Sequence, residues 1–366
     1  MKISRVLLRN FKRFETIEIQ VTNGLAQAIA DQFLILGDNG TGKTTILQAV
    51  ALCLTMASHR IEKLEEFDWV GWLPARYYRW GTPYIELDVH FTRAEIDATR
   101  QAARRWYEIR HPSDEFREPG DSPDVTLSLE GTRYSAKGGT NEIYQFCGRA
   151  YAANVLKQDP SVRDLFRDLP GCFWFDQFRN LASPPPENGE NSKAEEATGR
   201  VSYAVGVTRL REHLNRWKLA RITTGPRLGQ RLDFLLELEN LYKRVFPGRS
   251  FSDPEPMYRD GVPTPADYYF MISDGHRTYD LEEMSAGEQS IFPLLYEFVR
   301  QQIRNSVVLI DEVDLNLHPP LAQALLSALP SMGPGCQFFL TTHSEAISSL
   351  VSPNQVYRLE GGRLCL

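Results

Sequence analysis

Eight consecutive residues, Gly37-Asp38-Asn39-Gly40-Thr41-Gly42-Lys43-Thr44, fit the pattern G-x-x-x-x-G-K-[ST]. Glycines at this spacing let the backbone bend until successive N–H groups point inward, and a helix that follows adds the positive end of its dipole. Such a run cradles phosphate oxygens. Lys43 is the cation for the β and γ phosphates, and Thr44 offers a hydroxyl to Mg2+, which takes hard oxygen ligands and keeps some of its water. Thr45 ends the stretch that begins at Phe33. Two more polar groups have the composition for phosphoryl chemistry. Asp311-Glu312 directly follow the apolar run Val307 to Ile310, which suits Asp311 to hold Mg2+ directly or through water and Glu312 to orient and polarise an attacking water. Thr341-Thr342-His343-Ser344 follow the largely apolar run Cys336 to Leu340, which makes His343 a candidate contact for a γ-phosphate. Taken singly, each group has an ordinary reading as a Gly-rich turn, a loop start or a structural histidine. Together they point to a nucleotide-phosphate site with Mg2+ and an attacking water.

These residues need strands that end where the phosphates lie. Phe33 to Leu36 reads as a buried strand leading into the loop, and ILQAVALCLTM as the helix leaving it. Residues 2–9 and 15–21 are short β-type runs around Asn10-Phe11-Lys12-Arg13-Phe14, a turn in which Lys12 and Arg13 are candidates to sit near the nucleotide, with a solvated turn as the alternative. Phe67 to Trp80 is rich in aromatics; Trp69, Trp72, Tyr77, Tyr78 and Trp80 have the faces to stack bases, but core packing is the commoner use of such residues. A strand follows at Thr82 to Phe91, then a helix at Arg93 to His111 and a Pro/Gly/Asp-rich break from Pro112 to Pro123. A hairpin turning at Glu130-Gly131 and a helix over Glu142 to Leu156 come next. Gly171 to Asn180 gives a further apolar strand, with Asp176, Gln177 and Arg179 at its end.

The polar tract Ser183 to Thr198 has almost nothing to bury and reads as a mobile loop. Val207, Leu210, Leu214 and Trp217, and after a break at Thr223 to Pro226 Leu228, Leu232, Leu235, Leu236, Leu238, Tyr242 and Val245, describe a helical hairpin. Each arm is expected to have at most about 18 residues, roughly 27 Å, which excludes a long coiled-coil arm. Tyr268 to Ser273 and Thr278 to Leu281 form a hairpin at Asp274-Gly275, delivering the chain to Ser285-Ala286-Gly287-Glu288-Gln289.

The 366 residues, 42% apolar and 24% charged, suit a soluble α/β protein of one large domain with insertions or of two lobes. No run has the length of a membrane helix, and MKISRVLLRNFKRF is too charged for a signal peptide, so a cytoplasmic location and no membrane contact are expected. Cys53, Cys147, Cys172, Cys336 and Cys365 have no zinc or disulfide spacing and read as isolated thiols. A net charge of −6 means that nucleic-acid contact would need a local basic patch. Arg104, Arg105 and Arg110, or Arg209, Arg211, Arg216, Lys218 and Arg221, are the candidates, with solvated faces the favoured alternative.

The ordered set resembles the ATP-binding-cassette ATPase superfamily, on the branch of chromosome-maintenance proteins, RecF-like repair proteins and OLD-like ATPases. The resemblance spans residues 1–60, 171–180 and 268–350: Walker A at Gly37 to Thr44, a Q-loop candidate at Gln177, a signature at Ser285 to Gln289, Walker B at Val307 to Glu312, a D-loop at Asp314 to Asn316 and a switch histidine at His343. The signature departs from the transporter L-S-G-G-Q in Ala286 and Glu288, and Leu317-His318-Pro319 looks like OLD-type defence ATPases.

The resemblance implies an ABC-type P-loop ATPase head, a mixed sheet plus a mostly parallel sheet with flanking helices, and an inserted helical lobe. Residues 1–91 and 268–366 would form the core with the strand at 171–180, residues 92–170 an inserted α+β region, and residues 181–267 the mobile loop and helical lobe. It implies ATP and Mg2+ as ligands, Gln177 joining Thr44 and Asp311 at the metal, and Asn39 at the γ-phosphate. It further implies a homodimer closed head-to-tail, in which Ser285, Gly287, Glu288 and Asp314 of one chain complete the nucleotide site of the other. The leading expectation for its role is the ATPase subunit of a bacterial defence system controlling a separately encoded effector, a nuclease or toxin. A RecF-like DNA-repair ATPase and an ATP-latched binding module with little turnover are the alternatives.

Overall fold

A computed structural model describes residues 1–22, 28–110, 116–182, 203–224, 233–257 and 264–359. The tract Ser183 to Thr198, Leu228, Leu232 and Cys365 lie outside the described residues, as does the start of the break at Pro112.

Along the first half run β1 (Lys2–Phe11), β2 (Phe14–Gln20), β3 (Gln32–Leu36), α1 (Lys43–Ala57), β4 (Tyr84–His90), α2 (Arg93–Arg110), β5 (Asp124–Glu130) and β6 (Arg133–Ala136). They are followed by α3 (Thr140–Tyr144), α4 (Gly148–Val155) and β7 (Cys172–Phe175). The second half holds α5 (Tyr203–Thr224), α6 (Phe234–Val245), β8 (Ser250–Phe251), β9 (Glu255–Pro256), β10 (Tyr268–Tyr269), β11 (Met271–Ser273) and β12 (Thr278–Asp280). Last come α7 (Ala286–Arg300), β13 (Val307–Ile310), α8 (Pro319–Met332), β14 (Gln337–Thr342), α9 (Glu345–Ser348) and β15 (Val356–Arg358).

The chain divides into two compact units. Residues 1–177, 303–314 and 329–366 make the first, and residues 178–302 and 315–328 the second. The first is built on two sheets. Antiparallel strands in the order β2-β1-β4-β5-β6 form one, and strands in the order β15-β3-β14-β13-β7, every pairing parallel, form the other. β4 alternates buried and half-buried residues, as a strand with one covered face should, whereas all six residues of β14 are buried, as in a parallel sheet covered on both sides. α1 is apolar nearly all round and every residue but Thr44 is buried, because it packs on strands of both sheets. Trp69, Trp72 and Tyr77 join this core, the packing role expected of them, while Tyr78 and Trp80 are exposed.

The units do not follow the expected boundaries. The hairpin β5-β6, expected within a separate insertion at 92–170, extends the antiparallel sheet begun by β1 and β2 through its seven-residue register with β4. Residues 268–302, expected in the core, group with the helical hairpin. The helix expected over Glu142 to Leu156 is two helices joined by a 3-10 turn at Gln145–Cys147.

In the second unit α5 has 22 residues, one turn longer than expected and about 33 Å, so the absence of a long arm holds for the described residues. α6 buries Leu235, Leu238, Leu241, Tyr242 and Val245 along one face. Strands β12-β11-β8 form a three-stranded sheet that turns at Asp274-Gly275, where Gly275 has φ +89° and the Asp274 N–H donates to the Arg277 carbonyl at 3.1 Å. No helix among the described residues is long and apolar enough to cross a membrane. Cys53, Cys147, Cys172 and Cys336 are free and buried, and burial pushes the Cys336 thiol up to about 11.

Candidate active site

Parallel pairing sets the site. Leu36 at the end of β3 is in register with Thr342 of β14, Leu340 with Ile310 of β13, and Ile310 with Phe175 of β7. The phosphate loop, His343, the Asp311-Glu312 pair and Gln177 therefore leave one edge of one sheet side by side, where ligands bind in open α/β folds.

The loop is shaped by two glycines in the left-handed region, Gly40 at φ +82° and Gly42 at φ +108°. At Gly42 a Cβ would also stand 2.5 Å from Phe14 at the start of β2, so only glycine fits. Asp38, Asn39 and Gly40 are exposed at the tip, whereas Thr41 is buried and donates its hydroxyl to the Asp38 carbonyl at 2.9 Å. Gly37 is half-buried, and Thr45 turns into the core. Lys43 is 4% exposed; its Nζ donates to the carbonyls of Gly37 (2.9 Å) and Asp38 (3.2 Å) and lies 3.4 Å from Glu312 Oε1.

Thr44 Oγ1 donates to Asp311 Oδ2 at 2.8 Å, and Thr341 Oγ1 donates to Asp311 Oδ1 at 2.6 Å. Burial pushes the Asp311 carboxyl above its ordinary range, against the pull of those hydroxyl donors. The same Thr341 hydroxyl accepts the Glu312 N–H at 2.7 Å, which fixes Glu312 in the left-handed region at φ +45°. Glu312 Oε2 lies 3.0 Å from His343 Nδ1, and the exposed imidazole faces outward. Thr342 Oγ1 donates to Asp314 at 2.6 Å. Thr341 is the residue that sequence reading passed over: nothing in the run T-T-H-S shows that one hydroxyl orients both acids.

Gln177 is exposed two residues beyond β7, on the edge that carries Asp311. Lys12 donates to Gln48 and stands 4.8 Å over the Trp72 ring, and burial brings its ammonium down to about 8. Arg13 reaches the phosphate loop, its Nη1 being 3.7 Å from where a Gly40 Cβ would be. A cavity of about 750 Å3 opens beside them, walled by Phe14, Trp72, Arg76, Tyr77 and Trp80.

In the second unit, Ser285 is the exposed N-cap of the fifteen-residue α7. Gly287 is buried, and a Cβ on it would come within 3.3 Å of the Asn316 carbonyl, so the signature packs closely on the D-loop. Glu288, expected among the nucleotide contacts, is 3% exposed and its carboxylate is engaged by its own chain. The basic candidates for nucleic acid are engaged likewise. Arg104 pairs with Glu118, Arg105 with Glu108, Arg216 with Glu212, Lys218 with Asp253 and Arg221 with Asp233. Arg110 donates to the Asn154 carbonyl, and Arg211 is buried against Asp280 and Glu282. That pattern favours solvated and structural faces over a phosphate-binding stripe.

Among known proteins, the chain is similar to the retron Vc95 probable ATPase of Vibrio cholerae serotype O1 biovar El Tor, 20% identical over 97% of this chain and 73% of that protein. It is also similar to the Septu protein PtuA of Bacillus mycoides (strain KBAB4), 20% identical over 93% of this chain but only 38% of the relative. Of solved structures, the SMC head domain from Thermotoga maritima aligns over 98% of this chain and 94% of that one, at 15% identity and a TM-score of 0.44. Residues 1–94 match the family model described as an AAA ATPase domain. Residues 153–349, more than half of the chain, match the model described as "AAA domain, putative AbiEii toxin, Type IV TA system", and the chain belongs to that family of ATPases.

Proposed function

We propose that this ATPase works as one half of a composite hydrolysis site: two copies close head-to-tail around ATP, and the pair acts as the sensing or regulatory ATPase of a bacterial antiphage system with a separate effector. The observation that carries the composite site is Ser285, an exposed hydroxyl at the N-terminus of α7 beside the close-packed Gly287. The positive end of a helix dipole accepts an anion, and a γ-phosphate presented by a second copy supplies one.

Within each copy, Lys43 leaves its loop carbonyls for the β and γ phosphates, with Asn39 at the exposed tip beside the γ-phosphate. Arg13 neutralises charge from the β1–β2 turn, and the cavity between Phe14 and Trp72 receives the base and ribose. Thr44, half-buried, and Asp311, buried, place hard oxygens 2.8 Å apart, a donor set that suits Mg2+. Gln177 stands at the same edge to add an amide oxygen. Mg2+, when bound, neutralises the phosphate oxygens. Glu312 orients the attacking water, and His343 holds the second oxygen of Glu312 in place. Asp314 of the partner copy closes the site. Because ATP is part of the interface, its hydrolysis removes the ligand that joins the copies.

The retron and Septu relatives support a defence role, and the absence of a membrane-length helix among the described residues is compatible with cytoplasmic work. Glu312→Gln with ATP and Mg2+ is expected to run as a dimer in size exclusion with light scattering. A variant that stays monomeric at saturating ATP overturns the composite site. Phage protection that survives Lys43→Ala, in cells expressing the chain with its neighbouring genes, overturns the defence role.

A further inference from the structure

Glu288 uses its two oxygens for different ends. Oε2 accepts the Ser285 backbone N–H at 3.0 Å and the Ser285 hydroxyl at 2.7 Å. Oε1 accepts the Tyr242 hydroxyl at 2.8 Å and the Tyr279 hydroxyl at 2.9 Å, and pairs with Arg249 Nε at 2.9 Å. A capping box at the start of α7 needs only the exchange between Ser285 and Glu288, so three donors on the far oxygen exceed what the helix end requires. They also make burial of the charge tolerable: desolvation works against the carboxylate, and the donors from Ser285, Tyr242 and Tyr279 outweigh it, holding the carboxyl below its ordinary range.

We infer that Glu288 is a positioning residue that sets the signature serine according to the placement of the helical lobe. Tyr242 is fully buried in α6, Arg249 follows that helix, and Tyr279 lies on β12. A carboxylate is planar and rigid, so a displacement of α6 that moves Oε1 turns Oε2, and with it Ser285. The serine has one proton to give. While the hydroxyl donates to Oε2 and accepts the Glu288 N–H, it has no proton for a ligand; facing a phosphate, it turns that proton to the anion while its backbone N–H keeps hold of Glu288. The lobe therefore governs how readily one copy completes the nucleotide site of the other, an inference that rests on the composite site proposed above.

The test is subunit mixing. Tyr242→Phe/Tyr279→Phe keeps ring volume and removes two donors. It is expected to lower kcat by about tenfold through loss of a coupled network. Affinity of the single chain for a fluorescent ATP analogue should stay unchanged, because Walker A is intact. Mixed with Lys43→Ala, which is inactive alone, the double variant should regain turnover, since its Walker A then meets a native signature. Ser285→Ala mixed with Lys43→Ala is the control. Should that control mixture stay inactive, the composite site itself fails, and this inference with it. Should the control recover while the double variant turns over at the parental rate, or is impaired and not rescued by mixing, the positioning role alone is overturned. Glu288→Gln, which keeps a single acceptor oxygen, carries the same expectations if the tyrosine variant does not fold.

Discussion

Thr44 gives its hydroxyl proton to Asp311 across 2.8 Å, joining the phosphate loop directly to the end of β13 although 267 positions separate them in the chain. Removing that hydroxyl in Thr44→Ala takes away one of the oxygens proposed for Mg2+ and is expected to cut phosphate release on the order of a hundredfold, the scale of a lost group that serves to neutralise transition-state charge. Asp311 has a second signature. Its carboxyl is raised above the unfolded value, so the folded chain holds the proton more tightly, and stability falls as pH rises through the window between the two values. Asp311→Asn cannot titrate. It should lose hydrolysis yet melt above the parent at neutral pH, with a flatter dependence on pH; a lower neutral melting temperature refutes this account of the site.

Glu312 stands between a cation and an imidazole, with one oxygen 3.4 Å from Lys43 and the other 3.0 Å from His343. His343→Ala frees only the second oxygen. Turnover should drop about a hundredfold, the low end of the range for a group that handles protons, with nucleotide affinity close to that of the parent. Single-turnover hydrolysis alongside equilibrium binding separates the two quantities, and a loss confined to affinity would show that His343 only holds ATP.

Lys12 offers a proton-linked readout of phosphate binding. Burial lowers its ammonium to about 8, so around that pH the nitrogen is partly neutral, and a polyanion arriving beside it restores the charge. ATP binding near pH 8 should therefore take up a fraction of a proton, seen in calorimetry as a dependence of the apparent enthalpy on buffer ionisation heat. Lys12→Met should abolish that uptake. In the free protein the same variant should remove a rise of stability with pH between about 8 and 10.5, because a depressed lysine contributes stability only as it deprotonates. Unchanged buffer dependence in Lys12→Met would place the phosphates away from this side chain.

How much of this was legible in the sequence depended on how local the signal was. The loop, the strand before it and the Asp-Glu pair after an apolar run carry their meaning within a dozen residues, and the parallel register then fixes them to one edge without further information. Glu288 was misplaced for the opposite reason. Its neighbours in the signature suggest a nucleotide contact, but its partners Tyr242, Arg249 and Tyr279 come from separate elements, and no spacing rule announces them. Thr341 and the membership of β5-β6 in the first sheet were likewise decided by pairings across the fold. The basic residues of α5 stayed open between a phosphate contact and the favoured solvated face because sequence displays cations without the acids that face them.

Arg211 makes that last point measurable. Its guanidinium lies 2.7 Å from Asp280 and 2.9 Å from Glu282, with the side chain 6% exposed and that of Asp280 9% exposed. Asp280 also caps the turn before the signature, accepting the N–H groups of Glu282 and Phe270. Arg211→Met keeps much of the packing volume but strands a buried carboxylate, a loss expected to cost about 3–5 kcal/mol in chemical denaturation. Arg216→Met, by contrast, removes an exposed pair within one helix and should cost about 0.5 kcal/mol or less. A chain in which Arg211→Met leaves stability untouched while abolishing affinity for single- or double-stranded DNA would reverse the assignment, and would mean that the arginine serves a phosphate backbone instead of its own fold.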